Sequence, residues 1–223
     1  MAIERTAELY VGASGFSYPT WKPEFYPAGA KAKDFLRHYA ERLDSVELNA
    51  TFYRLPSEEQ LERWAEQTPP GFRFAVKMSR QITHFGRLDA IPTFCERVRA
   101  LSDRLGPILI QLPPTRPRDE GMLRLFLDSL DPELRYAFEF RHDSWKDIDL
   151  EGNALVGSLE GDASFRYLRL REPPYDEAAL AEWASRLRPL LNQGVEIFVY
   201  FKHEDDPSAP RYAERLAELV RAV

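Results

Sequence analysis

Residues 135–141 read Arg-Tyr-Ala-Phe-Glu-Phe-Arg, and the order within them decides the fold. Tyr136, Phe138 and Phe140 fall on one side of an extended chain; Ala137, Glu139 and Arg141 fall on the other. A two-residue period is the signature of a strand. The same design recurs along the chain. In 45–51, Val46, Leu48 and Ala50 oppose Ser45, Glu47, Asn49 and Thr51; in 72–78, Phe72, Phe74, Val76 and Met78 oppose Arg73, Ala75 and Lys77. Each run carries its charge near its C-terminal end. A ring of parallel strands gathers such ends at one mouth, where (β/α) barrels do their chemistry.

Working outward, the strands expected are Leu9–Ala13, Ser45–Thr51, Phe72–Met78, Ile108–Leu112, Tyr136–Phe140, Phe165–Leu170 and Glu196–Phe201. Amphipathic stretches at Ala32–Leu43, Ser57–Gln67, Ile91–Leu105, Gly121–Leu130, Asp176–Leu191 and Ala209–Val223 read as helices, with Ser57 and Gln60 resembling a capping box. Strand–helix alternation implies a parallel sheet. An open doubly wound sheet buries both strand faces and reads as continuous Val/Ile/Leu. Here one parity is polar (Gly12, Ser14, Glu47, Asn49, Lys77, Gln111, Glu139, Arg141, Arg169, Tyr200, Lys202), so the expectation is an α/β chain, a TIM-like (β/α) barrel, with the polar parity inward. Asn153–Ser158 is the weak eighth strand, and 159–164 is too short for a helix. The barrel should be irregular around its sixth βα unit, over a single domain spanning 1–223.

Composition narrows the function classes. Hydrophobic residues make up 44% of the 223 and charged residues 30%, as in a globular protein with a real core. A net charge of −6 argues against bulk attraction to nucleic acid or anionic membrane. The one cysteine, Cys95, excludes an internal disulfide and a cysteine-rich zinc framework. With no apolar leader or spanning run, the expected setting is soluble and cytoplasmic, away from any membrane.

Five runs are specific enough to name a resemblance: VGASGFSYPTWKPEFYP (11–27), SVELNATFYRLPS (45–57), TPPGFRFAVKMSRQITH (68–84), GPILIQLPP (106–114) and YAFEFRHDSW (136–145). They resemble the signature blocks of the YecE-like family, domain of unknown function 72. The resemblance implies a TIM-barrel-like fold and no particular activity. The chain departs from the family pattern at Arg171-Glu172, where a histidine is usual in place of Arg171, and at Lys202-His203, where asparagine is usual.

Glu47 and Glu139 are the candidate acid–base pair, since carboxylates in a confined mouth divide such roles. The bland alternative is an ion pair for each, Lys77 with Glu47 and Arg141 with Glu139. Lys77 is the third catalytic candidate, as a nucleophile or base if its pKa is depressed, or else as a counter-ion. Candidate ligand contacts are Ser14, Asn49, Tyr53, His84, Gln111, Arg141, His142, Trp145 and Tyr200. Arg141 offers a bidentate fork, and Trp145, opening a helix, offers a stacking face. Ser14 and Ser17 lack the Gly-x-Ser-x-Gly of a nucleophile elbow, and Gly12-Ala13-Ser14-Gly15 is too short for a dinucleotide fingerprint. His38, His84, His142 and His203 lack metal-ligand spacing, so no metal is assigned, and a Glu47/Glu139/His142/His203 site stays a minor alternative; no cofactor is assigned either. Lys77, Arg80, Arg87, Arg116, Arg118, Arg141, Arg169, Arg171 and Lys202 make a basic mouth on an acidic body, which focuses anions. The expectation is a small anionic or phosphorylated substrate, with hydrolysis as one reaction. The alternatives are nucleic-acid binding or processing, with Tyr18, Tyr53 and Trp145 stacking on bases, and a non-catalytic ligand sensor.

Overall fold

Eight parallel strands alternate with helices around a common interior in the computed structural model, which describes residues 8–202 and 205–222. The strands are β1 (Leu9–Ala13), β2 (Ser45–Leu48), β3 (Arg73–Lys77), β4 (Leu105–Leu112), β5 (Tyr136–Phe140), β6 (Ala154–Leu155), β7 (Phe165–Leu170) and β8 (Glu196–Phe201). The helices are α1 (Phe35–Ala40), α2 (Ala50–Tyr53), α3 (Glu58–Glu66), α4 (Arg80–Thr83), α5 (Ile91–Val98), α6 (Glu120–Asp128), α7 (Glu177–Asn192) and α8 (Ser208–Arg221). Backbone ladders run β2-β3-β4-β5-β6 in one sheet and β1-β8-β7 in the other, all parallel. This is a TIM-like α/β arrangement.

The two strand faces divide as the alternation predicts. Val46, Val76, Ile110, Phe138, Leu168 and Val199 join the layer between strands and helices, with Phe35, Phe94, Phe126, Leu187 and Leu216 from the helices. Tyr10, Ala75, Leu109, Ala137, Ala154, Phe165, Tyr167, Phe198 and Tyr200 fill the interior. Small residues on β3, β5 and β6 oppose rings on β1, β7 and β8, so the interior is packed by size complementarity.

Two seams join the sheets. Beyond β6, Gly157 N–H donates to Tyr167 O at 2.9 Å. Between β1 and β2, side chains supply the bonds instead. Val11 N–H donates to Asp44 Oδ1 at 2.8 Å, and Ala13 N–H donates to the Tyr39 hydroxyl at 2.7 Å. That hydroxyl donates in turn to Ser45 O at 2.9 Å. The approach is so close that a Cβ at Gly12 would lie 1.8 Å from Ser45 O, which is why the position takes glycine.

Several boundaries differ from the sequence expectation. Residues 49–51 leave the second strand and turn into α2, which Thr51 pins by reaching Leu48 O and Lys77 O, both at 2.7 Å. β4 starts three residues early, at Leu105, because it pairs there with Phe74 of β3. The expected helix 91–105 stops at Val98 and gives way to a 3-10 segment broken at Ser102, whose φ is 52°. The residue range 209–223 is helical from Ser208 to Arg221, and Val223 lies outside the described residues. No helix lies in 159–164, as expected; 141–153 lacks one too, so Trp145 opens a loop rather than a helix. Positive φ at Asp147 (50°), Glu151 (51°) and Gly152 (82°) turns that loop repeatedly. Ser57 does cap α3, its Oγ accepting from Gln60 N–H at 3.2 Å. No helix among the described residues is long and apolar enough to cross a membrane.

Candidate functional site

Arg169, near the end of β7, is the hub of the mouth. Its side chain is 7% exposed, and its Nη2 donates to Glu47 Oε1 at 2.9 Å while Nη1 donates to Glu139 Oε2. One guanidinium thus clamps the two carboxylates from β2 and β5. Glu47 is fully buried and fully bonded: it also accepts from the Tyr167 hydroxyl at 2.8 Å and from Asn49 Nδ2 at 2.9 Å. Burial alone would raise its pKa, but Arg169 and these donors hold it below the usual carboxylate value, so it stays ionised. Glu139 is opposed by burial in the same way and is held low by Arg169, Gln111 and Arg141. Burial works against charge on Arg169 as well, yet Glu47 and Glu139 raise its pKa further.

Glu139 is the more open carboxylate. Its Oε2 also accepts from Gln111 Nε2 at 2.7 Å, and its Oε1 faces Arg141 Nε and Arg171 Nη1, each at 3.2 Å. The Arg141 and Arg171 side chains are 34% and 38% exposed, so much of each fork points outward. Lys77 Nζ donates to Gln111 Oε1 at 2.8 Å and sits 4.2 Å from the Phe52 ring centre. Burial first, then Arg169, lowers its pKa to about 8, and the nearby glutamates offset this only partly. The alternative of a Lys77–Glu47 ion pair is therefore corrected. Glu47 stands opposite Ala75, two residues short of Lys77, which lies level with Leu109 and reaches Gln111 instead. Arg169 takes the place beside Glu47. The Arg141–Glu139 pair is present, shared with two more arginines.

Other candidates are placed unequally. His84 follows α4, bonded through Nδ1 to Thr83 Oγ1 at 2.9 Å and set edge-on to Phe52 at 4.9 Å. Burial, then Lys77 and Arg116, lower its pKa. Tyr53 is 69% exposed on the rim, under the Arg80 guanidinium at 5.7 Å. Ser14 is buried at the end of β1, and its carbonyl accepts from the Tyr18 hydroxyl at 2.9 Å. Asn49 and Gln111 spend their amides on Glu47, Lys77 and Glu139 rather than offering them to a ligand.

Three candidates are engaged in packing or local bonds. Tyr200 is fully buried, its hydroxyl 2.6 Å from Ser45 Oγ, so it packs the interior. Trp145 is covered, stacks on Phe140 at 4.5 Å and donates to Arg116 O at 2.9 Å; its indole holds the loop and is not a free stacking face. His142 bonds Ser144 within its own loop. Arg87 and Arg118 pair with Asp89 and Glu120, away from the Arg169 network. No group of three or more His, Cys, Asp or Glu able to hold a metal occurs among the described residues, and His203 lies outside them.

The candidate set omitted the residue at the centre. Arg169 stands on the inward parity of 165–170, and that parity together with its place among the cations of the basic mouth is its sequence signal. Arg171, flagged as a departure, joins the same carboxylate.

Comparison with known proteins agrees with this architecture. A family model described as "Protein of unknown function DUF72" matches residues 10–223. The UPF0759 protein YecE of Escherichia coli strain K12 is 37% identical over 139 residues, which are 60% of this chain and 48% of that protein. YunF of Bacillus subtilis, another UPF0759 protein, is 25% identical over 150 residues, 61% of this chain and 52% of YunF. The chain spans about half the length of the curated relatives it matches. Among crystal structures, a DUF72 family protein from Thermotoga maritima superposes with a TM-score of 0.77 at 24% identity, covering 95% of this chain and 98% of that one. One from Enterococcus faecalis gives 0.78 at 17% identity, covering 96% and 95%. At these identities the likeness is one of fold.

Proposed function

This chain belongs to the DUF72 family of proteins of unknown function, and on that premise we propose that its mouth binds a small anionic or phosphorylated compound, with Glu139 as the proton acceptor. One observation carries the reading: Arg141, Arg169 and Arg171 converge on Glu47 and Glu139 while Lys77 joins Glu139 through Gln111, four basic groups against two anions in this network. Lys77, His84 and Arg171 are all pushed toward their neutral forms, by burial first and then by neighbouring cations. Such a field attracts an anion. The outward forks of Arg141 and Arg171 suit a carboxylate or phosphoryl group, which guanidinium binds in a bidentate manner.

Glu47, sealed by three donors, serves in this reading as the positioner of Arg169. Glu139, ionised and nearer solvent, is suited to accept a proton from a bound water or an acidic C–H, which makes hydrolysis one reaction open to the site. A free, buried Cys95 suits a reducing, cytoplasmic setting.

Calorimetric titration with inorganic phosphate and sulfate tests the proposal. Arg141→Ala should weaken binding about 10- to 100-fold, the worth of a charge-assisted hydrogen bond. Arg141→Lys should fall between, because the charge stays and the fork is lost. No saturable binding of either anion would overturn the reading.

A second reading, single-stranded nucleic acid, draws on exposed Tyr53 and Phe85 beside the mouth and on Arg80 over the Tyr53 ring. It requires steeply salt-dependent oligonucleotide binding that Tyr53→Ala abolishes.

A further inference from the structure

Lys77 differs from Arg141, Arg169 and Arg171, the three arginines gathered on Glu139. It ends β3, the residue only 9% exposed, and its hydrogen bond goes to the neutral amide of Gln111. No carboxylate lies within ion-pair distance among the described residues, whereas Arg141, Arg169 and Arg171 all touch Glu139. One side of Nζ is covered by the Phe52 ring, an apolar wall 4.2 Å away. The groups facing it are Glu47 from β2, Gln111 from β4, Glu139 and Arg141 from β5 and Arg169 from β7, with His84 after α4. Burial and the flanking guanidinium weaken the hold of Lys77 on its proton, so the free amine is reached at lower pH than on a surface lysine.

We propose that Lys77 is a nucleophile that condenses with a small carbonyl compound bearing an acid group, an oxo acid, to form an imine in the mouth. The acid group docks on Arg141 and Arg171, so this half of the proposal rests on the anion-binding reading above. The amine lone pair attacks the carbonyl carbon, the N–C bond forms, and the carbonyl oxygen leaves as water with both amine hydrogens. The product is neutral at nitrogen and takes one proton to become an iminium, an electron sink. Glu139 then stands beside the acidified C–H next to that carbon as the base. No oxidant or metal is needed. A pKa near 8 leaves a far larger fraction of free amine at neutral pH than a surface lysine has.

The test is reductive trapping on the intact protein. Incubation with glyoxylate and sodium cyanoborohydride, followed by peptide mapping, should place a carboxymethyl group on Lys77 roughly tenfold or more faster than on exposed Lys31, Lys33 and Lys146. The rate should rise with pH through about 8. Lys77→Arg, checked for folding by its melting temperature, should lose the fast phase alone. Labelling of Lys77 no faster than the surface lysines, or none at all, overturns the proposal. Glycolaldehyde, which has no acid group, separates the two halves. If it labels Lys77 as fast as glyoxylate does, the nucleophile stands and the anionic docking falls. If neither labels it while phosphate still binds, the nucleophile falls and the anion site stands.

Discussion

The two ends of the barrel interior hold the same residue types and treat them differently. At the N-terminal end, Arg135 pairs with Glu196 and lies over the rings of Phe165 and Phe198 at 5.6 and 5.3 Å, while Arg73 covers Tyr10 at 5.3 Å and Tyr10 bonds Glu8. Two cations meet two anions there among the described residues, and aromatic faces take up the cations. At the mouth, four basic groups meet two anions, and the pKa of Lys77 falls because burial and then Arg169 outweigh the pull of Glu47 and Glu139. Balanced charge at one end is what a folded interior requires. Unbalanced charge at the other is an expense in stability that folding does not explain, and it is what the proposed anion site rests on.

The largest break in this comparison should come from Arg169. Arg169→Ala strands Glu47 at zero exposure and should destabilise the fold by about 3–5 kcal/mol in denaturant unfolding at neutral pH. A loss under about 1 kcal/mol would mean that the carboxylates are solvated and the hub is no hub. Next in size is Glu47→Gln, expected to destabilise by about 1.5–3 kcal/mol through lost charged hydrogen bonds. Its effect should also depend on pH. The folded pKa of Glu47 lies below its ordinary 4.5, so its contribution is complete above 4.5 and disappears as pH falls through the lower folded value. The gap between wild type and variant must therefore close on the acid side. A gap constant with pH would show that the charge is irrelevant.

Lys77→Met should move stability the other way, by about +1 kcal/mol at neutral pH. It removes an ammonium that burial penalises, at the cost of a donor to Gln111. The gain should shrink between pH 8 and 10.5, since the wild type there loses the proton that costs it stability. Destabilisation by this variant would make Lys77 a structural cation. The smallest effect belongs to the opposite end: Arg135→Ala should cost about 1 kcal/mol or less, because its pair is partly exposed and screened, and added salt should reduce even that. A cost matching that of Arg169 would erase the difference between the ends.

The strands and the inward parity were legible because polar and apolar residues alternate within each run, as in 135–141 and 165–170. Pairing was not legible, because it depends on register and on which strands meet across the ring. Lys77 and Glu47 stand on adjacent strands, yet the β2–β3 register sets them at different heights, and Arg169 arrives from β7. The helix missing from 159–164 showed in its brevity. That from 141–153 did not, since the segment is long enough to hold one, and only the positive φ at Asp147 and Glu151 rules it out. Trp145 misled for a related reason: a tryptophan beside a candidate site looks the same in sequence whether it faces a ligand or Phe140.

The strand order also bears on how the chain reaches this structure. Each ladder of the five-stranded sheet joins strands consecutive in sequence, whereas β1, among the described residues, pairs with β8 alone. Loop closure over so long a separation delays pairing. During synthesis β2 through β6 should zip together as they emerge from the ribosome, with β1 waiting unpaired until β8 arrives. Pulsed hydrogen exchange would then find amides of β3 and β4 protected early, and that of Ser14, which donates to Phe201 O at 2.9 Å, protected last. Simultaneous protection would mean that the ring forms in one cooperative step.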